Sequence, residues 1–414
     1  MVVTASAPTD SLEAVFRIEY SRIVAGVTRI VLDLGIAEEI AQDALVAALE
    51  AWPATGVPDN PGAWLMATAK HRAIDLVRRK ETYARKLEEV GRTLVEVPPI
   101  EPAGSDAIDD DLLRLIFIAC HPVLSPDARI ALTLRLIGGL TTNEIARAFL
   151  VSEPAVAQRI VRAKRTLAEA DVSFEVPYGS DRAARVASVL EVIYLVFNEG
   201  YAATAGQDLV RPGLCEDALR LARVLAGLTP GEPEAHGLVA LLEFQASRIS
   251  ARTGPTGEPV LLADQNRSRW NRMLIQRGND ALERAGDGPY SLQAAIAACH
   301  ARAVRFEDTD WTGIAVLYRQ LMELSPSPVI ELNRAVAISM CEGPAAGLRV
   351  VDALATEPTL ENYHLLPSVR GDLLERLGRR EEACAEFERA ASMTRNERER
   401  ELLQDRITCA RTGN

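Results

Sequence analysis

The chain has 414 residues, more than one typical core accommodates, so two or three domains are expected. It is 48% hydrophobic and only 5% aromatic, and its net charge is −12. No apolar stretch approaches the roughly 20 residues that span a bilayer, and a basic-then-apolar signal is lacking at the N-terminus, which argues against membrane or secreted classes and for the cytosol.

The first informative segment is AEEIAQDALVAALEAW (Ala37–Trp52), an acidic amphipathic helix followed by a short Pro/Gly loop, Pro53–Asn60. In the next stretch, NPGAWLMATAKHRAIDLVRRK, Pro61 opens a helix whose apolar stripe is Trp64, Leu65, Ala69, Ala73, Ile74 and Val77. Lys70, Arg72, Arg78, Arg79 and Lys80 cover the rest, with Asp75 the only acid among them. The run VPPIEPAG (97–104) cannot hold regular structure, and SDAIDDD after it adds repulsive charge, so the pair is expected to be a linker.

From Leu124 the chain reads LSPDARIALTLRLIGGLTTNEIARAFLVSEPAVAQRIVRAKRTL. Thr141 or Thr142 can cap a short helix over Asn143–Phe149, with Ile145, Ala146 and Phe149 inward; Leu150, Val151 and Ser152 make a turn. Ser152 is a good N-cap for a second helix, and Pro154 sits in its first turn, where the missing N–H costs nothing. Val156, Ile160 and Leu167 lie on the buried side, while Gln158, Arg159, Arg162, Lys164 and Arg165 project outward. Ala155 and Ala157 keep the leading end slim. This is the pattern of a helix-turn-helix whose second helix enters a major groove. The plainer reading is a solvated helical hairpin; a second basic helix, Lys70–Lys80, favours two contacts on one duplex.

After a break at EVPYGSDR (Glu175–Arg182), VASVLEVIYLVFNEGYAAT begins a helical C-terminal domain. Ile314, Tyr318 and Leu321, then Gly347, Val351 and Leu354, then Ala383, Phe387 and Ala390 occupy similar phases, and Gly378 lies in the turn before the last set. The steps from Tyr318 to Val351 and on to Phe387 are 33 and 36 residues, bracketing the tetratricopeptide (TPR) period of about 34. A weaker copy is Ala218, Ala222, Leu225 and Pro230. An unrelated helical bundle with coincident spacing is the alternative. Within the domain, Ala251–Trp270 is the long irregular segment, either a functional loop or an ordinary surface insertion.

Chemistry-bearing motifs are missing: no Walker-type loop, no GxGxxG after a strand, no HExxH, no GxSxG. The function is therefore expected to be binding, not catalysis. Cys120, Cys215, Cys299, Cys341, Cys384 and Cys409 lack CxxC spacing and read as reduced, mostly buried thiols. Cys120–His121 and Cys299–His300 are neighbours that point about 100° apart on a helix and chelate poorly, so neither a metal nor a cofactor is expected. Net acidity does not contradict DNA binding, because locally clustered cations displace counterions. Positives concentrate at Lys70–Lys86 and Arg159–Arg165; such a chain should bind free DNA poorly and act within a larger complex.

In this order, Ala37–Trp52, Pro61–Lys80 and Leu124–Leu167 resemble an extracytoplasmic-function (ECF) sigma factor of the sigma-70 family, at regions 2.2 to 2.4 and 4.1 to 4.2. The remainder resembles the TPR-like C-terminal extension of one ECF group. Pro154 and Ala157 depart from the more usual Gly and Lys of the recognition helix, so no promoter preference carries over. The resemblance implies an all-α chain: a region 2 domain over 11–90, a linker over 91–108, a region 4 helix-turn-helix domain over 109–172, a linker over 173–184 and a TPR-like domain over 185–411. It implies a bacterial, nucleoid-associated sigma factor whose partners are core RNA polymerase, promoter DNA and a protein or peptide bound by the C-terminal domain, which regulates activity. Glu39, Gln42, Asp43 and Leu49 would face polymerase. Asp59, Asn60, Trp64, Lys70, Arg72, Arg78 and Arg79 would serve the −10 element. Ala155, Gln158 and Arg159 would reach −35 bases, with Arg162, Lys164 and Arg165 on the backbone. A helix-turn-helix regulator or a helical scaffold without DNA binding are the alternatives.

Overall fold

The computed structural model describes residues 8–88, 105–149, 151–170, 172, 174–175, 179–203 and 205–412. The 97–104 run and Leu150 lie outside them. The chain divides into two compact units, Met1–Val192 and Ile193–Asn414, and the division falls inside one helix.

The first unit opens with three mutually packed helices, α1 (Pro8–Val31), α2 (Leu34–Thr55) and α3 (Pro61–Glu88). Asp33 caps α2, its carboxylate accepting from Ile36 N at 2.9 Å. Ala37, Ala41, Ala44 and Ala48 form a buried small-residue stripe along α2. It lets α2 lie close to Tyr20, Ile23, Val24 and Val27 of α1 and Leu65, Ala69 and Ala73 of α3, all buried. Larger side chains along that stripe would push the three helices apart.

Four helices follow: α4 (Ser105–Ala119), α5 (Pro126–Leu136), α6 (Thr142–Ala148) and α7 (Glu153–Glu169). SDAIDDD begins α4 and is not a charged linker; Asp111 at its end is buried and pairs with Arg114 at 2.8 Å and with Arg29 of α1 at 3.4 Å. The next helix, α8 (Gly179–Tyr201), starts inside the segment expected to be the second linker. Its first half closes the core of α4 and α5. Ser188 Oγ donates to the Cys120 carbonyl at 2.6 Å and accepts from Arg129 Nη1 at 2.6 Å, and Glu191 takes the same guanidinium at 2.8 Å. Arg129 is 9% exposed, and a guanidinium that deep needs those partners.

The second unit runs through α9 (Pro212–Leu228), α10 (Pro233–Ser247), α11 (Arg272–Leu282), α12 (Pro289–Arg302), α13 (Trp311–Leu324), α14 (Pro328–Cys341), α15 (Pro344–Leu354), α16 (Leu365–Arg376), α17 (Arg380–Met393) and α18 (Glu397–Thr412). A two-residue parallel pair joins Ala205–Gly206 with Arg395–Asn396, and Thr253 forms an isolated antiparallel bridge with Pro259. From α12 onward each helix packs on its sequence neighbour, the habit of a helical repeat. The three repeat-like sets fall on α13, α15 and α17, alternate helices of successive hairpins. Val351 and Phe387 are fully buried at equivalent positions, and a Cβ on Gly371 of α16 would meet the Phe387 ring at 2.6 Å. Gly378 turns α16 into α17 at φ +77°, a conformation glycine adopts without strain. Cys120, Cys215 and Cys384 are buried but Cys341 and Cys409 are exposed, so the expectation of mostly buried thiols fails at two positions on outward helix faces.

Candidate nucleic-acid interface

The helix-turn-helix is set by local hydrogen bonds at both helix starts. Thr141 and Glu144 form a reciprocal capping box on α6: Glu144 N donates to Thr141 Oγ1 at 3.1 Å, and Thr141 N donates to Glu144 Oε2 at 2.7 Å. Ser152 occupies the N-cap of α7, yet its hydroxyl makes no capping bond. Glu153 does the anchoring instead, accepting from Thr142 Oγ1 at 3.0 Å and Asn143 Nδ2 at 3.3 Å, which ties the start of α7 to the start of α6. Thr141→Ala is expected to destabilise the first unit by about 1 kcal/mol; chemical denaturation followed by circular dichroism measures it, and Ser152→Ala should change far less.

Val156, Ile160, Ala163 and Leu167 bury one face of α7 against α5 and α6. Ala155, Gln158, Arg162 and Arg165 stand exposed on the other. Three of the four cations of the helix are engaged. Arg159 pairs with Asp127 of α5 at 3.3 Å, Arg165 with Glu169 one turn on at 2.6 Å, and Lys164 with Glu38 of α2. Among the described residues Arg162 forms no ion pair and is exposed.

On α2, Glu39, Gln42, Asp43 and Leu49 are all exposed, opposite the alanine stripe, and Leu49 continues an apolar patch with Val46. Asp43 pairs with Arg72 of α3 at 3.4 Å, with both side chains well exposed. In the loop between the helices Asp59 is exposed, whereas Asn60 is employed structurally: its Oδ1 accepts from Ala63 N at 3.0 Å and caps α3. Trp64 packs edge-on against the buried Trp52, with ring centroids 5.5 Å apart, which favours its role in the core over base stacking. Lys70 is half-buried against α1, beside Gly26, and burial together with the Arg29 charge lowers its pKa. Arg78 and Arg79 are exposed further along α3.

Glu38 escaped sequence reasoning. It precedes the exposed Glu39 but is only 7% exposed, three residues before Ala41 and so in phase with the buried face. Tyr20 Oη donates to it at 2.8 Å and Arg135 Nε at 3.0 Å, and Lys164 completes the set. Burial alone would raise the pKa of this carboxyl; the charge and hydrogen bond of Lys164, with Tyr20 and Arg135, outweigh it and hold the pKa below the usual carboxylate range. Helical phase was the available signal, but the three partners lie in α1, α5 and α7.

The family described as Sigma-70 region 2 matches residues 15–82, and that described as Sigma-70, region 4 matches residues 114–167. A family of unknown function, DUF6596, matches residues 185–286. An uncharacterized protein of Rhizobium meliloti (strain 1021) is 46% identical over 88% of this chain and 87% of its own length. The ECF RNA polymerase sigma factor SigK of Mycobacterium sp. (strain KMS) is 31% identical over 33% of this chain and 70% of its own length. Among solved structures, yeast Tom70 covers 98% of this chain and 84% of its own at 11% identity, with a TM-score of 0.31, too slight a likeness to argue from.

Proposed function

The chain belongs to the ECF sigma factors of the sigma-70 family, and we propose that it binds core RNA polymerase, carries it to promoters and opens them. As an RNA polymerase sigma factor it works by binding, not by catalysis. The observation that carries the reading is the leading end of α7, where Ala155 and Gln158 stand exposed and unobstructed while Glu153 fixes the helix from behind. A major groove admits a helix presented in this way.

In this reading Glu39, Gln42, Asp43 and Leu49 contact polymerase, and the loop at Asp59 serves the −10 element, with Arg78 and Arg79 on phosphates. Gln158 and Arg159 reach −35 bases, Arg159 after releasing Asp127, and Arg162 holds the backbone. The helical second unit acts as a regulatory domain that supports activity and receives a protein or peptide partner. Its separate core supports treating it as an independent module. The setting is the bacterial cytoplasm at the nucleoid.

Run-off transcription with core polymerase on genomic fragments tests the reading. Arg162→Ala should weaken all responsive promoters alike and lower the salt slope by about 1, whereas Gln158→Ala should cost about 1–3 kcal/mol and relax preference at one −35 position. Asp59→Ala leaves the Asn60 cap in place, so it should reduce permanganate-reactive thymines without impairing holoenzyme assembly. Failure to co-purify with core polymerase would leave a helix-turn-helix regulator or a scaffold as the remaining readings.

A further inference from the structure

The segment Ala251–Trp270 returns to the end of α10 and gathers arginines and aromatic rings there. Asn271 N donates to the Ser247 carbonyl at 2.9 Å and Ser250 Oγ to the Arg269 carbonyl at 2.9 Å, while Val260 N bonds the Arg252 carbonyl at 2.8 Å. This stitching places Trp270 and Arg267 beside two arginines four residues apart, Arg248 at the C-cap of α10 and Arg252 just past the following 3-10 turn. The Arg248 and Arg267 guanidiniums lie 5.4 and 4.9 Å from the Trp270 ring centroid, and that of Arg252 lies 3.8 Å from the centroid of Tyr201.

Arg267 is fully used. Its Nη1 donates to the carbonyls of His300 and Ala303, the latter at 2.8 Å, and Nη2 reaches Thr309 Oγ1 at 3.3 Å. Arg248 and Arg252 are not. Among the described residues neither forms an ion pair, and the Nε of each is buried without an acceptor. The Tyr201 hydroxyl and Trp270 Nε1 are buried without partners as well. Glu399, whose charge reaches Arg252, is committed to Thr394 Oγ1 at 2.7 Å and lies 3.1 Å from His364 Nε2. Burial and the charges of Arg248 and Arg267 press the His300 imidazole down to about 3, so it is neutral and adds no charge.

Guanidinium stays protonated at any working pH, and two such groups one helical turn apart repel. The carbonyl end of α10 offsets about half a charge and Glu399 part of the charge of Arg252, which leaves a net positive cluster in a chain whose net charge is −12. Arg248, Arg252 and Tyr201 each keep partial access to solvent. A carboxylate brings one charge and two oxygens. A phosphate monoester brings about −1.5 to −2 and three acceptor oxygens, which matches two forked guanidiniums and a hydroxyl.

The geometry points to a binding site for a phosphate-type oxyanion, inorganic phosphate or the phosphate of a small ester, held by Arg248 and Arg252 with Tyr201 Oη as a further donor. Isothermal titration of the full-length chain with inorganic phosphate and, separately, with glucose 6-phosphate at fixed ionic strength tests it. Saturable one-site binding is expected, weakened at least tenfold in Arg248→Gln and in Arg252→Gln. Equal affinity for the two probes identifies free phosphate as the ligand chemistry; tenfold tighter binding of the sugar phosphate identifies an ester; both outcomes support the site. Absence of saturable heat from either probe overturns it, as does equal affinity in the wild type and Arg248→Gln. Arg252→Lys keeps the charge but loses the fork, so it also discriminates where a glutamine variant does not fold: weakened binding supports the site, and unchanged affinity overturns it.

Discussion

Replacing Glu38 by glutamine is expected to destabilise the first unit by about 3 kcal/mol, because removing one partner of a buried ion cluster leaves the others uncompensated. The figure sits at the low end of that range since the Arg135 and Lys164 side chains remain about a quarter exposed. Urea denaturation of wild type and variant measures it. The same substitution releases Lys164 from α2 and makes it available to a phosphate. Binding of the variant to −35 duplex DNA should therefore rise, with a salt slope steeper by about 1. An unchanged slope would show that Lys164 does not reach DNA. Acid should open the cluster as the mutation does. The carboxyl titrates lower in the folded chain than in the unfolded one, where about 4.3 is usual. Its stabilisation is thus fully present above that value and disappears as pH falls through the lower, folded pKa.

The features legible in the sequence are those written in local periodicity. The spacing of Val156, Ile160 and Leu167 gives the buried face of α7, and Thr141 with Glu144 spells out the capping box three residues apart. Repeat phases on α13, α15 and α17 were readable because each hairpin solves the same packing problem. What escaped depends on contacts remote in sequence. Lys164 looks like any outward cation until α2 supplies Glu38, 126 residues away. The Ser188 and Glu191 bonds to Arg129 span 59 and 62 residues, so a helix that reads wholly as C-terminal domain also closes region 4. Arg248 and Arg267 meet at Trp270 only through the return of an irregular segment, for which no periodicity exists.

The shared character of α8 decides how the role of the second unit can be measured. A fragment ending at Val172 loses Ser188 and Glu191 together and strands the Arg129 guanidinium in the region 4 core. Its expected cost is about 3–5 kcal/mol, so low transcription from it would report damage to region 4, not loss of regulation. A fragment ending at Leu195 keeps a turn of helix beyond Glu191 and omits Val196 and Phe197, which are buried in the second unit. It should unfold at a clearly higher urea concentration than the shorter fragment. If the second unit supports activity, the 1–195 fragment will be folded by circular dichroism yet initiate less from the cognate promoter in cells than the full chain does. If the unit restrains the sigma regions, the same fragment will initiate more and bind −35 DNA more tightly. Equal initiation by the 1–195 fragment and the full chain would sink both versions and leave the second unit as a binding module whose ligand acts on something other than promoter choice.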